Sequence, residues 1–327
     1  MGTMMALRAH ARGGPEQLVY EQAPAPSAGP GEALVAVHAA AITFAELTWD
    51  LTWTTRDGAD RTPTIPSHEM SGTVAGLGDV VTGLGDDVTG LGDGGTGLAV
   101  GDEVIGLIDF DRDGAAAEYV AVPAAGLAAK PRSVSHEEAA TLSLAALTAW
   151  QALVDHAALE PGERVLIQGG AGGVGMFAVQ LAAILGGRVT ATGRAPDEDL
   201  VRSLGAERFV SVGPGHAGQV PDGLDVVIDT VGGAVLESSY GLLREGGRLV
   251  TLGAPPDQER AGKLKIRAMF FVVAQDPGGL ASLAGLTDAG RLRPLVGQRF
   301  PLAEGRQAFE SGGHPRPPGK TVLVVRE

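Results

Sequence analysis

One segment, residues 164–175, constrains the fold more than any other part of the chain; it reads RVLIQGGAGGVG. The apolar run VLI is typical of a strand that is buried on both faces. Closely spaced glycines follow, and then the apolar run MFAVQLAAIL, which is long enough for a helix packed against a sheet. The segment therefore predicts a strand, a glycine turn and a helix in succession.

The glycines of this turn match the pattern G-x-G-x-x-G at Gly170, Gly172 and Gly175. The first glycine allows a tight turn, the second lets a pyrophosphate approach the backbone, and the third lets helix and strand pack closely. A purely structural turn is the alternative, because a chain with 50 glycines produces such patterns by chance. The position between a strand and a helix favours dinucleotide binding at the N-terminus of the helix.

Composition excludes several other functions. The 25 Lys and Arg residues against 39 Asp and Glu give a net charge of −14, and no basic cluster indicates a nucleic-acid partner. The absence of cysteine removes disulfides, thiolate catalysis and zinc sites with cysteine ligands. No segment approaches the roughly 20 apolar residues of a membrane helix. With no signal-peptide core at its start, the chain is expected to be cytoplasmic and without a membrane partner.

The order of patterns predicts two domains. Short strand-like runs bounded by turn residues occupy the first 40 residues, as in an antiparallel β domain. Beyond residue 188, strands alternate with helices, which implies parallel strands and a doubly wound sheet. The final run TVLVVRE returns to the character of the first domain. We expect residues 1–124 and 266–327 to form one domain, with the nucleotide domain, 125–265, inserted between them.

A seven-residue unit is repeated three times over residues 76–96: GLGDVVT, GLGDDVT and GLGDGGT. Its aspartates, Asp79, Asp86, Asp87 and Asp93, could collect a cation, but the spacing closes no cage of oxygen ligands. We expect a solvated, expanded hairpin loop.

The end of the second strand of the nucleotide domain indicates which dinucleotide binds. About 20 residues after such a glycine pattern, an acidic side chain usually holds the ribose 2′-hydroxyl of NAD. Here the position carries Gly193 and Arg194, and a guanidinium suits the 2′-phosphate of NADP. A solvated loop arginine is the alternative. The three acidic residues that follow (Asp197, Glu198 and Asp199) are expected in the first turn of a helix, where negative charge is favoured.

Strings in a fixed order along nearly the whole chain resemble the medium-chain dehydrogenase/reductase superfamily, in its zinc-independent quinone oxidoreductase branch, which includes zeta-crystallin. They are PSHEMSGTVAG, GLAVGDEVIGL, AAEYVAVP, AATLSLAALTAWQAL, PGERVLIQGGAGGVGMFAVQLA, LGAE, DVVIDTVGG, LLREGGRLVTLG and GKTVLVV. The resemblance implies an α/β chain in which a Rossmann domain is inserted into a GroES-like, mainly β catalytic domain, with the active site in the cleft between them.

The resemblance also bears on metal binding. Zinc-dependent relatives hold zinc with a Cys, a His-Glu pair and a second Cys. Here the first Cys position is Thr43 and the second falls near Ala145, whereas His68 and Glu69 are retained. A closed site needs more ligands than this pair offers, so we expect no metal and structural roles for both residues. A remnant site that adds Asp109 is the alternative.

By the same resemblance, nine positions contact the cofactor. They are Phe44 and Thr148 near the nicotinamide half, Gly173 and Val174 at the pyrophosphate, Val231 at the adenosine side, and Leu252, Gly253, Phe270 and Phe271 near the nicotinamide and its ribose. The two phenylalanines fit equally the buried core of a strand. In this family that strand pairs across a dimer, which implies a homodimer.

Without zinc, catalysis reduces to holding the nicotinamide against an electron-poor acceptor. We therefore predict NADPH-dependent reduction of quinones or of the activated C=C bond of α,β-unsaturated carbonyls, whose developing oxygen charge neutral donors can stabilise. Simple ketones need stronger polarisation. The chain shows no clear proton donor, and the candidates are Thr43, Glu46, Trp49, Trp53 and His68.

The roles of these candidates stay open at this level. Trp49 and Trp53 are four residues apart, so they would share a helix face and either wall a flat substrate pocket or pack the loop. Glu46 is a general acid only if burial raises its pKa, and a surface carboxylate is expected otherwise. An NADPH-binding protein with little turnover, or a biosynthetic enzyme that uses the scaffold for a rearrangement, are the alternative functions.

Overall fold

The computed structural model describes residues 2–78, 97–213 and 219–326. Residues 79–96 of the seven-residue repeat lie outside this set, so the predicted hairpin loop stays a prediction. The chain divides into two compact units. The first comprises Met1–Leu144, Gln275–Asp288 and Pro294–Glu327, and the second Ala145–Ala274 and Ala289–Arg293. Within the described part of the chain, no helix is both long and apolar enough to cross a bilayer.

The first unit begins as a mainly β domain. Its elements up to residue 144 are β1 (Thr3–Ala9), β2 (Leu18–Pro24), β3 (Glu32–Ala41), α1 (Asp50–Trp53), β4 (Glu69–Leu77), β5 (Glu103–Leu107), β6 (Tyr119–Pro123), β7 (Leu127–Ala129) and α2 (His136–Ala140). Strands β1 and β2 pair as an antiparallel hairpin. Strand β3 pairs antiparallel with both β4 and β6. Ser135 opens α2 with a capping box, because its hydroxyl accepts the Glu138 amide while the Glu138 carboxylate accepts the Ser135 amide.

The second unit is a parallel α/β domain. Its elements are α3 (Leu147–Trp150), β8 (Arg164–Gln168), α4 (Gly175–Ile184), β9 (Arg188–Gly193), α5 (Glu198–Ser203), β10 (Arg208–Ser211), β11 (Leu224–Asp229), α6 (Ala234–Ser239), β12 (Leu243–Thr251), α7 (Gln258–Lys263) and β13 (Arg267–Phe270). The strands lie in the order β10-β9-β8-β11-β12-β13, and every described pairing among them is parallel. This is the doubly wound order of a Rossmann domain, in which ligands bind at the carboxyl ends of the strands.

After the second unit the chain returns to the first. It adds α8 (Pro277–Asp288), β14 (Val296–Pro301), α9 (Gly305–Glu310) and β15 (Lys320–Val324). Strand β15 pairs antiparallel with β3, and Val322 lies opposite Ala41. The resulting sheet has the order β14-β15-β3-β4-β5-β7, with β6 on β3. The predicted fold class, a Rossmann sheet inserted into a GroES-like, mainly β domain, is thereby confirmed.

The two units end at different residues from the predicted domains. Strand β13 was expected in the GroES-like domain from residue 266 onwards, but it pairs in parallel with β12, so that Thr251 lies opposite Phe270. Residues 125–144 were expected in the nucleotide domain, but they group with the first unit. There the Ser143 hydroxyl donates to the Met70 carbonyl at 3.1 Å. An apolar strand run looks the same in either sheet, and pairing partners decide to which one it belongs.

The glycine turn after β8 is held by close backbone contacts. A Cβ atom on Gly175 would lie 1.9 Å from the Gly169 carbonyl oxygen, and one on Gly170 would lie 2.9 Å from the Ala191 Cβ. The corresponding approach at Gly172 is looser, at 3.2 Å from the Gly169 oxygen. The third glycine therefore permits the close packing of α4 on the end of β8, as the sequence pattern requires.

We expect Gly175→Ala to lower the free energy of unfolding by about 1–3 kcal/mol or more, because the new methyl group forces α4 away from the turn. Gly262→Ala is the matched control in the same unit, since Gly262 lies in α7 with nothing within 4 Å of its added Cβ. There the change should be neutral or stabilising. Urea denaturation of both variants measures the difference, and equal stabilities would contradict this account of the turn.

Candidate functional site

The turn between β8 and α4 forms a backbone cradle in the second unit. Helix α4 is ten residues long and begins at Gly175, directly after Gly173 and Val174. The first amides of a helix have no carbonyl four residues earlier within it, and together with the helix dipole they favour an anion. Glycines at 172 and 173 leave the approach to these amides without side chains. The residues fit the pyrophosphate of a dinucleotide.

Polar side chains at the ends of β8 and β9 tie the cradle to the sheet. The buried Gln168 side-chain oxygen accepts the Thr192 hydroxyl at 2.7 Å. The Thr192 oxygen in turn accepts the amide of Gly169 at 3.1 Å. The Thr230 hydroxyl donates to the Gln168 carbonyl at 2.7 Å. This chain of bonds fixes the first residue of the glycine turn.

A second polar group shapes the neighbouring loop after β11. The fully buried Asp229 carboxylate accepts the amides of Val231 at 3.1 Å and Gly232 at 3.0 Å. It also accepts the Thr251 hydroxyl from the end of β12 at 3.0 Å. The loops after β11 and β12 therefore approach closely, and a Cβ on Gly253 would lie 3.0 Å from Gly232 Cα. Val231 stands exposed on this loop, and Leu252 bonds through its amide to the Asp229 carbonyl at 3.0 Å.

Sequence reasoning missed these four polar side chains, although a signal was available. In each case a polar residue stands at the last or next-to-last position of a strand: VLIQ, VTATG, VVID and RLVT. Since the carboxyl ends of parallel strands share one edge of the sheet, such terminal residues meet there. The residues concerned are Gln168, Thr192, Asp229 and Thr251.

The end of β9 carries the arginine expected at the 2′-phosphate. Gly193 is the last residue of β9, and its Cβ position lies 3.0 Å from the Phe209 ring. The exposed Arg194 pairs with the buried Asp197, Nε to Oδ2 at 2.9 Å and Nη2 to Oδ1 at 3.2 Å. Nη1 takes no part in these two bonds. Glu198 and Asp199 lie in the first turn of α5, as expected, whereas Asp197 precedes the helix as its N-cap.

The remaining second-unit candidates are more enclosed. Thr148 is buried in α3. Phe270 ends β13, which pairs with β12. The Phe271 ring packs against the His156 ring, with centroids 4.2 Å apart. Phe271 therefore has a packing role within its own unit.

In the first unit, the aromatic candidates separate into different environments. The Phe44 ring is half-buried and lies under the Arg316 guanidinium at 4.4 Å. Trp49 is also half-buried and meets Phe110 edge to face at 5.2 Å. Trp53 is 3% exposed, and its indole N–H donates to the Leu47 carbonyl at 3.0 Å. Of the two roles considered for Trp53, the structure supports packing of the loop, because a core side chain cannot wall an open pocket.

Four side chains of the first unit, Thr43, Glu46, Glu69 and Lys320, form what we call the polar cluster. The Lys320 ammonium donates to Glu69 Oε1 at 2.5 Å and to the Thr43 hydroxyl oxygen at 3.2 Å. The Thr43 hydroxyl lies 3.3 Å from the same Glu69 oxygen. The amides of Ser67 and Thr43 donate to the Glu46 carboxyl at 2.8 and 3.4 Å. Lys320 was not among the predicted residues, because no local pattern in GKTVLVV marks it.

The expectation of a surface carboxylate at Glu46 is wrong. Glu46 is 1% exposed. Burial raises its pKa to about 8, against the opposing effect of the hydrogen bond from the Ser67 amide, and the neighbouring Glu69 charge raises it further. Glu46 is therefore mainly protonated at neutral pH. The turn that follows β3 buries this residue, and sequence alone does not reveal such a turn.

His68 is a buried, uncharged ring, and Asp109 is held in an ion pair. His68 is 2% exposed, and burial together with the Arg61 charge lowers its pKa to about 4, so the ring is neutral at pH 7. Its edge contacts the Phe110 ring at 5.3 Å between centroids. Asp109 forms an ion pair with Arg56 at 2.6 Å.

These residues do not fit a catalytic zinc ion. Glu69 is bound to the Lys320 ammonium, and Asp109 is bound to Arg56. Among the residues that the structure describes, no group of three or more His, Asp or Glu side chains is arranged to hold a metal. A zinc site needs three protein ligands at least.

The raised pKa of Glu46 has a measurable consequence. Between the unfolded pKa of about 4.5 and the folded pKa of about 8, the native state keeps a proton that the unfolded state releases. This group's contribution to stability therefore falls as pH rises, by up to about 1.4 kcal/mol per pH unit. We expect Glu46→Gln, which cannot ionise, to gain stability relative to wild type from pH 5 to pH 8. Thermal unfolding across this range measures the difference.

The control for this experiment is Glu259→Gln, since the Glu259 side chain is exposed on α7. The difference in stability between Glu259→Gln and wild type should stay nearly constant with pH. A constant difference for Glu46→Gln as well would show that Glu46 ionises normally in the folded protein.

Comparison with known proteins agrees with this architecture. Residues 29–132 match the alcohol dehydrogenase GroES-like domain, and residues 204–323 match the zinc-binding dehydrogenase family. A probable zinc-binding oxidoreductase, mitochondrial, from Arthroderma benhamiae is 31% identical over 321 residues, which cover 92% of this chain and 91% of that protein. An NADPH-dependent alkenal/one oxidoreductase, chloroplastic, from Arabidopsis thaliana is 30% identical, covering 80% of this chain and 64% of that protein.

A solved structure extends the likeness to the whole fold. The quinone oxidoreductase from Coxiella burnetii superposes with a TM-score of 0.85 at 29% identity, covering 99% of this chain and 100% of that one. Sequence relatives, domain matches and fold therefore agree, and the chain belongs to the medium-chain dehydrogenase/reductase superfamily of nicotinamide-dependent oxidoreductases, in its quinone oxidoreductase-like branch.

Proposed function

We propose that the protein is an NADPH-dependent, zinc-independent reductase of quinones or of the activated C=C bond of α,β-unsaturated carbonyls. The observation that carries the proposal is the glycine cradle at the start of α4, at the carboxyl edge of a six-stranded parallel sheet. Bound there, the reduced nicotinamide supplies a hydride. The names of the Arabidopsis and Coxiella relatives, an alkenal/one oxidoreductase and a quinone oxidoreductase, support the two acceptor classes.

The preference for NADPH over NADH rests on Arg194. Its position after β9 carries a cation where NAD-binding folds usually carry an acid. The Asp197 carboxylate accepts from Nε and Nη2, which restricts the guanidinium to one orientation. A 2′-phosphate gains a charge-assisted hydrogen bond from such a group, whereas a 2′-hydroxyl gains little. Gly193 beside it adds no side chain to the phosphate position.

The preference for conjugated acceptors rests on the absence of a fitting zinc site among the described residues. When a hydride adds to a quinone or an enone, negative charge develops on an oxygen that conjugation already stabilises. Neutral hydrogen-bond donors suffice for such a charge. A simple ketone places the full charge on one oxygen and requires a stronger electrophile.

A homodimer is proposed as the assembly. Strand β13 pairs with β12 and, within the described chain, with no other strand, which makes it an edge of the six-stranded sheet. Its residues Met269 and Phe270 are half-buried and the adjacent Val272 is 61% exposed. An apolar edge strand of this kind is a ready site for pairing with a second copy.

We expect Arg194→Ala to weaken NADPH binding by about tenfold or more, because it removes a charge-assisted contact, and to leave NADH binding almost unchanged. Arg202→Ala is the matched control, since Arg202 is a similarly exposed arginine that pairs with Glu198 on α5. It should affect both cofactors equally. Fluorescence titration of the two variants with each cofactor measures the ratio, and a parallel loss for Arg194→Ala would remove the basis for NADPH selectivity.

The reaction itself is tested by mixing the protein and NADPH with a panel of acceptors. Loss of the reduced nicotinamide absorbance is expected with quinones and enones and not with saturated ketones. Prior treatment with a chelator should leave the rates unchanged, because no step uses a metal. Activity that a chelator abolishes and zinc restores would overturn the zinc-independent mechanism. Tight NADPH binding with no turnover on any acceptor would support a binding protein instead.

A further inference from the structure

The polar cluster of the first unit holds more charge than structural packing requires. Glu69 is 1% exposed and Lys320 6% exposed, and they form an ion pair of 2.5 Å. Removing two charges from water is costly, and a buried pair is often no more stable than apolar residues of the same volume. The pair is therefore a weak device for stability. A role in chemistry explains its presence better.

The four residues of the polar cluster differ in burial. Glu46, Glu69 and Lys320 are buried, whereas Thr43 is half-buried. The Thr43 oxygen accepts a hydrogen bond from the Lys320 ammonium at 3.2 Å. Thr43 is thus the least buried residue of the polar cluster.

The distances indicate how strongly the Thr43 hydroxyl donates its hydrogen bond to Glu69. Its contact with Glu69 Oε1, at 3.3 Å, is long, and that oxygen already accepts the short bond from Lys320. A hydroxyl that accepts from an ammonium becomes a better donor, because hydrogen bonds in a chain polarise one another. The Thr43 hydroxyl can therefore donate its hydrogen bond to a substrate oxygen that accepts more strongly than the shared Glu69 oxygen.

We propose that the Thr43 hydroxyl donates a hydrogen bond to the substrate oxygen that becomes negative during reduction, and that Lys320, held by Glu69, is the positioning residue that orients and polarises it. This inference rests on the function proposed above. Thr43 is then a catalytic residue in a position where zinc-dependent relatives carry a metal ligand, and the ammonium supplies positive charge from the protein itself.

The chemistry balances without a further reagent. Bound NADPH would supply the hydride: the C–H bond at C4 of its nicotinamide breaks, a C–H bond forms at the electron-poor carbon of an enone, and the electron pair of the conjugated system moves to the carbonyl oxygen. The nicotinamide is oxidised and the acceptor is reduced. Thr43 stabilises the oxygen charge by hydrogen bonding and keeps its own proton. Water supplies the proton that completes the product.

The test compares Thr43→Val with Thr43→Ser. Valine has nearly the shape of threonine and lacks the hydroxyl, whereas serine retains it. We expect Thr43→Val to lower kcat for an enone by about 10- to 100-fold, the usual effect of losing one donor to a developing oxyanion. The loss should be smaller for a quinone, whose reduced anion is more stable by itself. NADPH affinity should be unchanged, and Thr43→Ser should retain most of the activity.

A second variant tests the positioning residues. Lys320→Met combined with Glu69→Gln removes both charges at similar volume, so it avoids leaving one of them buried and unpaired. We expect kcat for the enone to fall by about tenfold, because the hydroxyl loses its polarising partner. Thr48→Val is the control within the same segment, since the exposed Thr48 hydroxyl donates to the Ala45 carbonyl of its own turn. It should leave the rates unchanged.

The outcomes separate the two proposals. Unchanged turnover in Thr43→Val, or equal losses with enone and quinone, would overturn the role of the hydroxyl while the reductase function stands. A Thr43→Ser variant as poor as Thr43→Val would assign Thr43 a packing role and overturn it likewise. If the wild-type protein oxidises NADPH with none of the acceptors in the panel, the reductase function is overturned and this inference with it.

Discussion

The buried ion pair between Glu69 and Lys320 constrains how the two ends of the first unit come together. It joins β4 to β15 through two residues that lie 251 positions apart in the chain. Removing one partner of such a pair leaves an uncompensated buried charge, at a cost of about 3–5 kcal/mol. Strand β15 follows the parallel domain in the chain and pairs with β3. The ion pair and this strand pairing both link the end of the chain to the first unit.

The second unit concentrates its polar side chains where its strands end. Gln168 and Asp229 each accept a threonine hydroxyl from a neighbouring strand. These bonds tie the strand ends around the glycine turn to one another. A backbone cradle of this kind is preorganised, which reduces the ordering cost of binding. The fixed strand ends and the glycine turn without side chains therefore contribute together to a preorganised binding site.

Prediction from sequence succeeded where the signal is local. The strand, glycine turn and helix around Gly175 lie within a dozen residues, and the alternation of strands and helices follows from apolar periodicity. Prediction from sequence is inaccurate where residues distant in the chain determine strand pairing or burial. Strand β13 was expected in the GroES-like domain because its apolar run carries no mark of its partner. The spacing of Trp53 fits a pocket wall or loop packing equally, and its burial with an indole N–H donating to the Leu47 carbonyl decides for packing.

The sequence by itself determined the two fold types, the glycine turn and the cation after β9, because each depends on backbone sterics or on spacing within a short segment. Only the tertiary structure decided the environment of the polar cluster. Whether Glu46 ionises depends on burial beneath a turn, and whether Glu69 is open to a ligand depends on Lys320 from the far end of the chain. Burial and ion pairing are properties of residues brought together by folding, so no local pattern encodes them.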